Sequence, residues 1–91
     1  MRERTVEDAL KREGKRRGVW VIKSETLHVG FPDRLLLAPQ GRFALVELKA
    51  PGRELRPGQR IVRGWLEALG FTVHVIDHPD DVTRFYARWL D

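Results

Sequence analysis

The sequence predicts an α/β domain in which a central mixed sheet is flanked by helices, in the order α-β-β-β-α-β-α. Three observations predict it. Apolar residues recur at helical spacing in three segments, and short β-branched or aromatic runs separate them. A tight-turn signal joins two of the runs, and a helix precedes the last. A hairpin followed by a helix and one more strand gives a mixed sheet with helices packed on it.

Taken in order, residues 5–17 read as a helix with Thr5 as N-cap, Asp8 three positions on, and an apolar stripe of Val6, Ala9 and Leu10. Residues 18–24 (GVWVIKS) read as a strand, and 25–32, carrying Gly30 and Pro32, as a loop. Residues 33–38 (DRLLLA) and 42–49 (RFALVELK) are two strands around Pro39-Gln40-Gly41. That spacing fits a three-residue hairpin, a type I turn followed by a left-handed glycine. A second helix spans about 57–69, with Pro57 in its first turn, a stripe of Ile61, Val62, Trp65, Leu66 and Leu69, and Gly70 as its stop. Residues 71–76 (FTVHVI) form a fourth strand. The last helix, about 79–90, places Val82, Phe85, Tyr86, Trp89 and Leu90 on one face. Trp20, Trp65 and Trp89 stand at core-like spacings and are expected to pack, and His74 to be partly buried or at an edge.

The chain has 91 residues, 42% hydrophobic and 33% charged, which fits one compact stand-alone domain over 1–91. It has no cysteine, which excludes disulfides and Cys-based zinc sites. No apolar run approaches a membrane span and the N-terminus lacks a signal-peptide core, so a soluble, cytoplasmic protein is expected. There is no Ser-His-Asp order, glycine-rich phosphate loop or dinucleotide fingerprint, and His28, His74 and His78 do not make a metal set. Net charge is +4. The basic residues gather in two places, Lys11, Arg12, Lys15, Arg16 and Arg17, then Lys49, Arg53, Arg56, Arg60 and Arg63. Guanidinium clusters suit phosphate recognition, although a solvated helix face displays the same pattern.

The informative segment is Val46-Glu47-Leu48-Lys49 in an otherwise apolar strand. Alternation puts Leu45, Glu47 and Lys49 on one face. In a three-residue hairpin Ala38 faces Arg42, so paired numbers sum to 80 and Asp33 lies opposite Glu47 on the same face. Two facing carboxylates repel unless a cation lies between them, and oxygen ligands suit a hard ion such as Mg²⁺ or Mn²⁺. Lys49 is placed to neutralise charge and hold water. An exposed surface pair, or a structural Asp33–Lys49 ion pair, are the plainer alternatives.

These residues also resemble a family. The segment Gly30-Phe31-Pro32-Asp33, the segment Glu47-Leu48-Lys49 and the following Gln59 match the PD-(D/E)xK nuclease pattern, and more narrowly its VRR-NUC (virus-type replication-repair nuclease) branch. Glu7 stands where that branch has an early-helix glutamate, and the resemblance runs from about Glu7 to Ile76. It implies a restriction-endonuclease-like fold and Mg²⁺-dependent phosphodiester hydrolysis, with Mn²⁺ as a substitute. By the same resemblance Asp33, Glu47 and the Leu48 carbonyl bind the metal, with Glu7 contributing directly or through water. Lys49 positions the nucleophilic water, and Gln59 orients Lys49 or the scissile phosphate. Arg53, Arg56, Arg60 and Arg63 are candidates for phosphate contacts at the mouth of the site, with Lys15, Arg16 and Arg17 extending the track.

The expected function is therefore a structure-specific DNA endonuclease acting on branched DNA such as four-way junctions. A homodimer is expected because two strands need two sites, with the last helix and the Trp65 helix as its candidate interface. The alternative is a non-catalytic nucleic-acid-binding module that keeps the nuclease fold.

Overall fold

A computed structural model describes residues 2–91. The chain runs α1 (Glu3–Arg16), β1 (Trp20–Lys23), β2 (Arg34–Ala38), β3 (Arg42–Leu48), α2 (Pro57–Ala68), β4 (Val73–Ile76) and α3 (Asp80–Leu90), with a 3-10 turn over Pro39–Gly41. All seven expected elements are present, in the expected order. The strands form one sheet in the order β1-β2-β3-β4, antiparallel at the first two pairings and parallel at the third. The parallel pairing follows from α2, which carries the chain back so that β4 starts at the same end as β3.

The β2–β3 register is the one the hairpin arithmetic gives, from Ala38↔Arg42 to Arg34↔Val46. The turn itself differs from expectation. Gln40 and Gly41 both have positive φ, 69° and 72°, so two left-handed residues follow Pro39 instead of a type I turn closed by glycine alone. Gln40 is unbranched at Cβ and accepts that conformation at modest cost. Helix α1 also starts earlier than the Thr5 cap predicts. Arg2 occupies the cap position, Glu3 lies in the first turn, where its charge favours the helix dipole, and the Thr5 N–H bonds the Arg2 carbonyl at 3.0 Å.

One face of the sheet presents Leu36, Ala44, Val46, Leu48 and Ile76 to α1 and α3. Val6 and Leu10 of α1 and Val82, Phe85 and Tyr86 of α3 complete this core. Tyr86 is wholly buried, and its hydroxyl donates to the Leu10 carbonyl at 2.8 Å, locking the two helices together. Gly14 makes room for that contact, since a Cβ there would meet the Tyr86 hydroxyl. Trp89 stacks on Phe85 at 5.6 Å between ring centroids, and half-buried His74 lies edge-on to Phe85 at 5.0 Å, both as expected.

The second face is covered only in part. Leu45 and Val73 are buried, whereas Leu37, Phe43 and Val75 are exposed. The expectation that all three tryptophans pack inside is corrected here: Trp20 and Trp65 are 67% and 59% exposed. Helix α2 turns Gln59 and Val62 inward and leaves Ile61, Trp65 and Leu69 outward, because no second helix of this chain lies over that face. No helix among the described residues is long and apolar enough to cross a membrane.

Candidate active site

The site begins with the segment that joins β1 to β2. The Ser24 hydroxyl donates to the Pro32 carbonyl at 2.7 Å, and the Ser24 N–H donates to the Asp33 carbonyl at 2.9 Å. Gly30 has φ 85° and lies against the first turn of α2, where a Cβ would collide with the Gly58 carbonyl oxygen. Glycine is needed there both for the left-handed backbone and for the close approach. Asp33 thus arrives in a fixed place, 2% exposed, one step beyond the Arg34↔Val46 pair and next to Glu47. Its Oδ2 accepts the Leu48 N–H at 2.8 Å.

Glu47 is wholly buried. Its Oε2 accepts the Gln59 Nε2–H at 2.7 Å, and the Gln59 Oε1 in turn accepts the Arg56 N–H at 3.1 Å. One amide therefore caps the start of α2 and fixes the Glu47 carboxylate. Gln59, expected to orient Lys49 or the scissile phosphate, here gives its amide N–H to Glu47. Glu47 Oε1 has no hydrogen-bond partner among the described residues. Burial, then the neighbouring Asp33 charge, pushes the Glu47 pKa up to about 7, against the pull of Lys49. An unpaired buried carboxylate oxygen beside a second carboxylate is costly without a cation. That donor set fits a hard divalent ion such as Mg²⁺ or Mn²⁺.

Lys49 lies on the same face, 6% exposed, with its N–H on the Ile76 carbonyl at 3.0 Å. The ion pairs of the described residues do not include it, so the structural Asp33–Lys49 pair is not formed. It lines a cleft together with Arg2, Arg53 and Arg56. Arg56 also lines the adjoining cleft with Asp33 and Gln59.

Glu7 is engaged elsewhere. Arg34 Nη2 holds its carboxylate at 2.6 Å and Lys11 lies 3.7 Å from it. No group of three or more potential metal-binding side chains is assembled among the described residues. Alternation explains the arrangement: Asp33 faces Glu47, so Arg34 faces the other way, under α1. Arg34 is 5% exposed, donates from Nη1 to the Asp33 carbonyl at 2.7 Å, and lies 3.7 Å from Glu25.

Of the basic residues, Arg53 and Arg56 border the cleft. Arg60 pairs with Glu54 at 3.3 Å and Arg63 with Glu67 at 3.3 Å, on a flank of α2 away from Asp33. Lys15, Arg16 and Arg17 end α1 near the Pro39 turn, the end of the β2–β3 hairpin opposite to Asp33 and Glu47. Arg16 and Arg17 both pair with Glu13, at 2.9 and 3.1 Å, and none of Lys15, Arg16 and Arg17 lines the clefts that hold Asp33 and Lys49. Sequence reasoning missed Arg2, Ser24 and Arg34. The one available signal was for Arg34, a lone charge inside the apolar run DRLLLA.

No family model matches the chain. Among curated proteins it is similar to "Putative nuclease p44" of Acyrthosiphon pisum secondary endosymbiont phage 1, 45% identical over 51 residues. That match covers 56% of this chain and 55% of the relative, so the chain spans only about half the length of the curated protein it matches. Among solved structures it superimposes on one described as "VRR_NUC domain", with a TM-score of 0.86 and 24% identity over 96% of each chain. The chain has the fold of the VRR_NUC domain, the architecture to which Gly30–Asp33, Glu47–Lys49 and Gln59 pointed.

Proposed function

We propose that this chain is a metal-dependent endonuclease that hydrolyses DNA phosphodiester bonds, with branched DNA such as four-way junctions as its substrate class. The observation that carries it is the burial of Asp33, Glu47 and Lys49 together at one end of the β2–β3 hairpin, with Glu47 Oε1 unpartnered. The VRR_NUC fold and the similarity to a phage protein named as a nuclease support the reading.

Asp33 and Glu47, with the Leu48 carbonyl, would hold Mg²⁺ or, in its place, Mn²⁺. When bound, the ion stabilises negative charge on the phosphate and makes water more acidic. The remaining work falls to the chain. Lys49 orients the attacking water and counters charge on the phosphate oxygen. Gln59 fixes the Glu47 carboxylate from one side, and Arg34, held by Glu7, fixes the Asp33 peptide from the other. Glu7 therefore serves the site through Arg34. Arg2, Arg53 and Arg56 neutralise backbone phosphates at the cleft and contribute a salt-sensitive share of affinity. Cutting both strands of a duplex needs two sites, so the active form is a homodimer.

The test is cleavage of labelled linear duplex, single strand, flap and four-way junction in Mg²⁺ or Mn²⁺ and in a chelator, with Lys49→Ala alongside. Metal-dependent cutting that Lys49→Ala abolishes, strongest on a branched DNA, is the expected result. Salt-sensitive binding without cutting under every metal condition overturns the enzyme reading in favour of a non-catalytic binding module.

A further inference from the structure

The sheet face that carries Glu47 is apolar beyond what this chain covers. A sheet face open to water ordinarily alternates to polar residues. Here the paired positions Trp20↔Leu37 and Leu37↔Phe43 form a row across three strands, and Phe71, entering β4, continues it with its ring 6.2 Å from that of Phe43. All four are exposed. Glu47 is the one charged side chain that β1 to β4 place on this face, and it is buried.

Helix α2 adds a second rail. Trp65 meets the ring of His28 at 6.3 Å, so its side chain leans toward the segment that joins β1 to β2. Leu69 follows one turn on, 74% exposed, just before Phe71. Helix α3 offers nothing comparable, because Val82, Phe85 and Tyr86 are spent in the chain's own core.

We infer that this open face, with Trp20, Leu37, Phe43, Phe71, Trp65 and Leu69, is where a second copy of this chain docks. The inference rests on the homodimer reading for its occupant and replaces the last helix as the interface. Two arguments choose a second copy. The exposed parts of these six residues come to roughly 700 Å² per chain, close to the ~800 Å² that each partner contributes to a stable interface. Their lack of cations also excludes the DNA backbone, which needs positive charge. A two-fold contact would bury the same row on both protomers, shielding an apolar surface larger than soluble monomers commonly expose. Because Glu47 and Val75 are register partners on this face, the contact would lie beside the catalytic cleft.

The test is the solution mass of the purified chain between 1 and 100 µM by light scattering, for the parent, Phe43→Glu, Trp65→Glu and, as a control on α3, Arg84→Glu. (These concentrations span about the micromolar range that separates weak from stable contacts.) Far-UV circular dichroism checks that each variant folds. The expected result is a dimeric parent, a dimeric Arg84→Glu variant, and folded Phe43→Glu and Trp65→Glu variants whose dimer dissociates at least tenfold more readily. A parent that is monomeric throughout overturns the homodimer reading and this surface with it. A dimer that survives both Phe43→Glu and Trp65→Glu overturns the surface alone.

Discussion

Replacing Glu47 by glutamine is expected to stabilise the metal-free protein while destroying its activity. The carboxyl's pKa rises from 4.5 to about 7, because it is buried and faces Asp33. Glu47 therefore holds its proton more tightly folded than unfolded. Below pH 4.5 both states are protonated and nothing is lost. Between pH 4.5 and about 7 the unfolded chain releases the proton first, and stability falls as pH rises. Above pH 7 the loss is complete, at about 3 kcal/mol. The substituted glutamine carries no charge to desolvate, and its amide oxygen still accepts from Gln59. The Glu47→Gln variant should thus gain up to ~3 kcal/mol at pH 8, on the order of 10 °C in melting temperature, and little at pH 4.5. Thermal unfolding of both proteins in a chelator at the two pH values measures the difference. A gain that is absent at pH 8, or is as large at pH 4.5, would refute the assignment of Glu47 as a strained, cation-demanding carboxylate.

Four further outcomes follow from the same geometry. Mn²⁺ affinity, followed by titration calorimetry, should rise about tenfold per pH unit up to about pH 7 and then level, because binding requires the ionised Glu47. Gly30→Ala should cost about 2 kcal/mol or more in urea unfolding and weaken Mn²⁺ binding, since its Cβ pushes on Gly58 and displaces Gln59 from Glu47. Gly41→Ala, with positive φ but open space around it, should cost only about 1 kcal/mol. Arg34→Met should cost about 3 kcal/mol by stranding Glu7 and freeing the Asp33 carbonyl, with Arg34→Lys recovering part of it in the same unfolding assay.

The elements, their order and the meeting of Asp33 with Glu47 were all legible in the linear chain. Those features depend on local chemistry. A hairpin of fixed loop length fixes every partner along β2 and β3, and strand alternation then fixes the face. The wider pattern of Gly30–Asp33, Glu47–Lys49 and Gln59 was legible in another way, through its resemblance to the VRR-NUC nucleases.

Packing between elements settled the rest. Whether Gln59 met Lys49 or Glu47 depended on how α2 lies over the sheet. Whether Glu7 joined the carboxylates depended on Arg34, which is adjacent to Asp33 in sequence but on the opposite face of β2. The positions of Lys15, Arg16 and Arg17 followed from the direction of α1, which carries them to the far end of the sheet. Trp20 and Trp65 looked like core residues because periodicity reports which side of an element is apolar and not what covers it. Only packing in three dimensions separates a face buried within the chain from one left open, and here it left the face beside Glu47 bare.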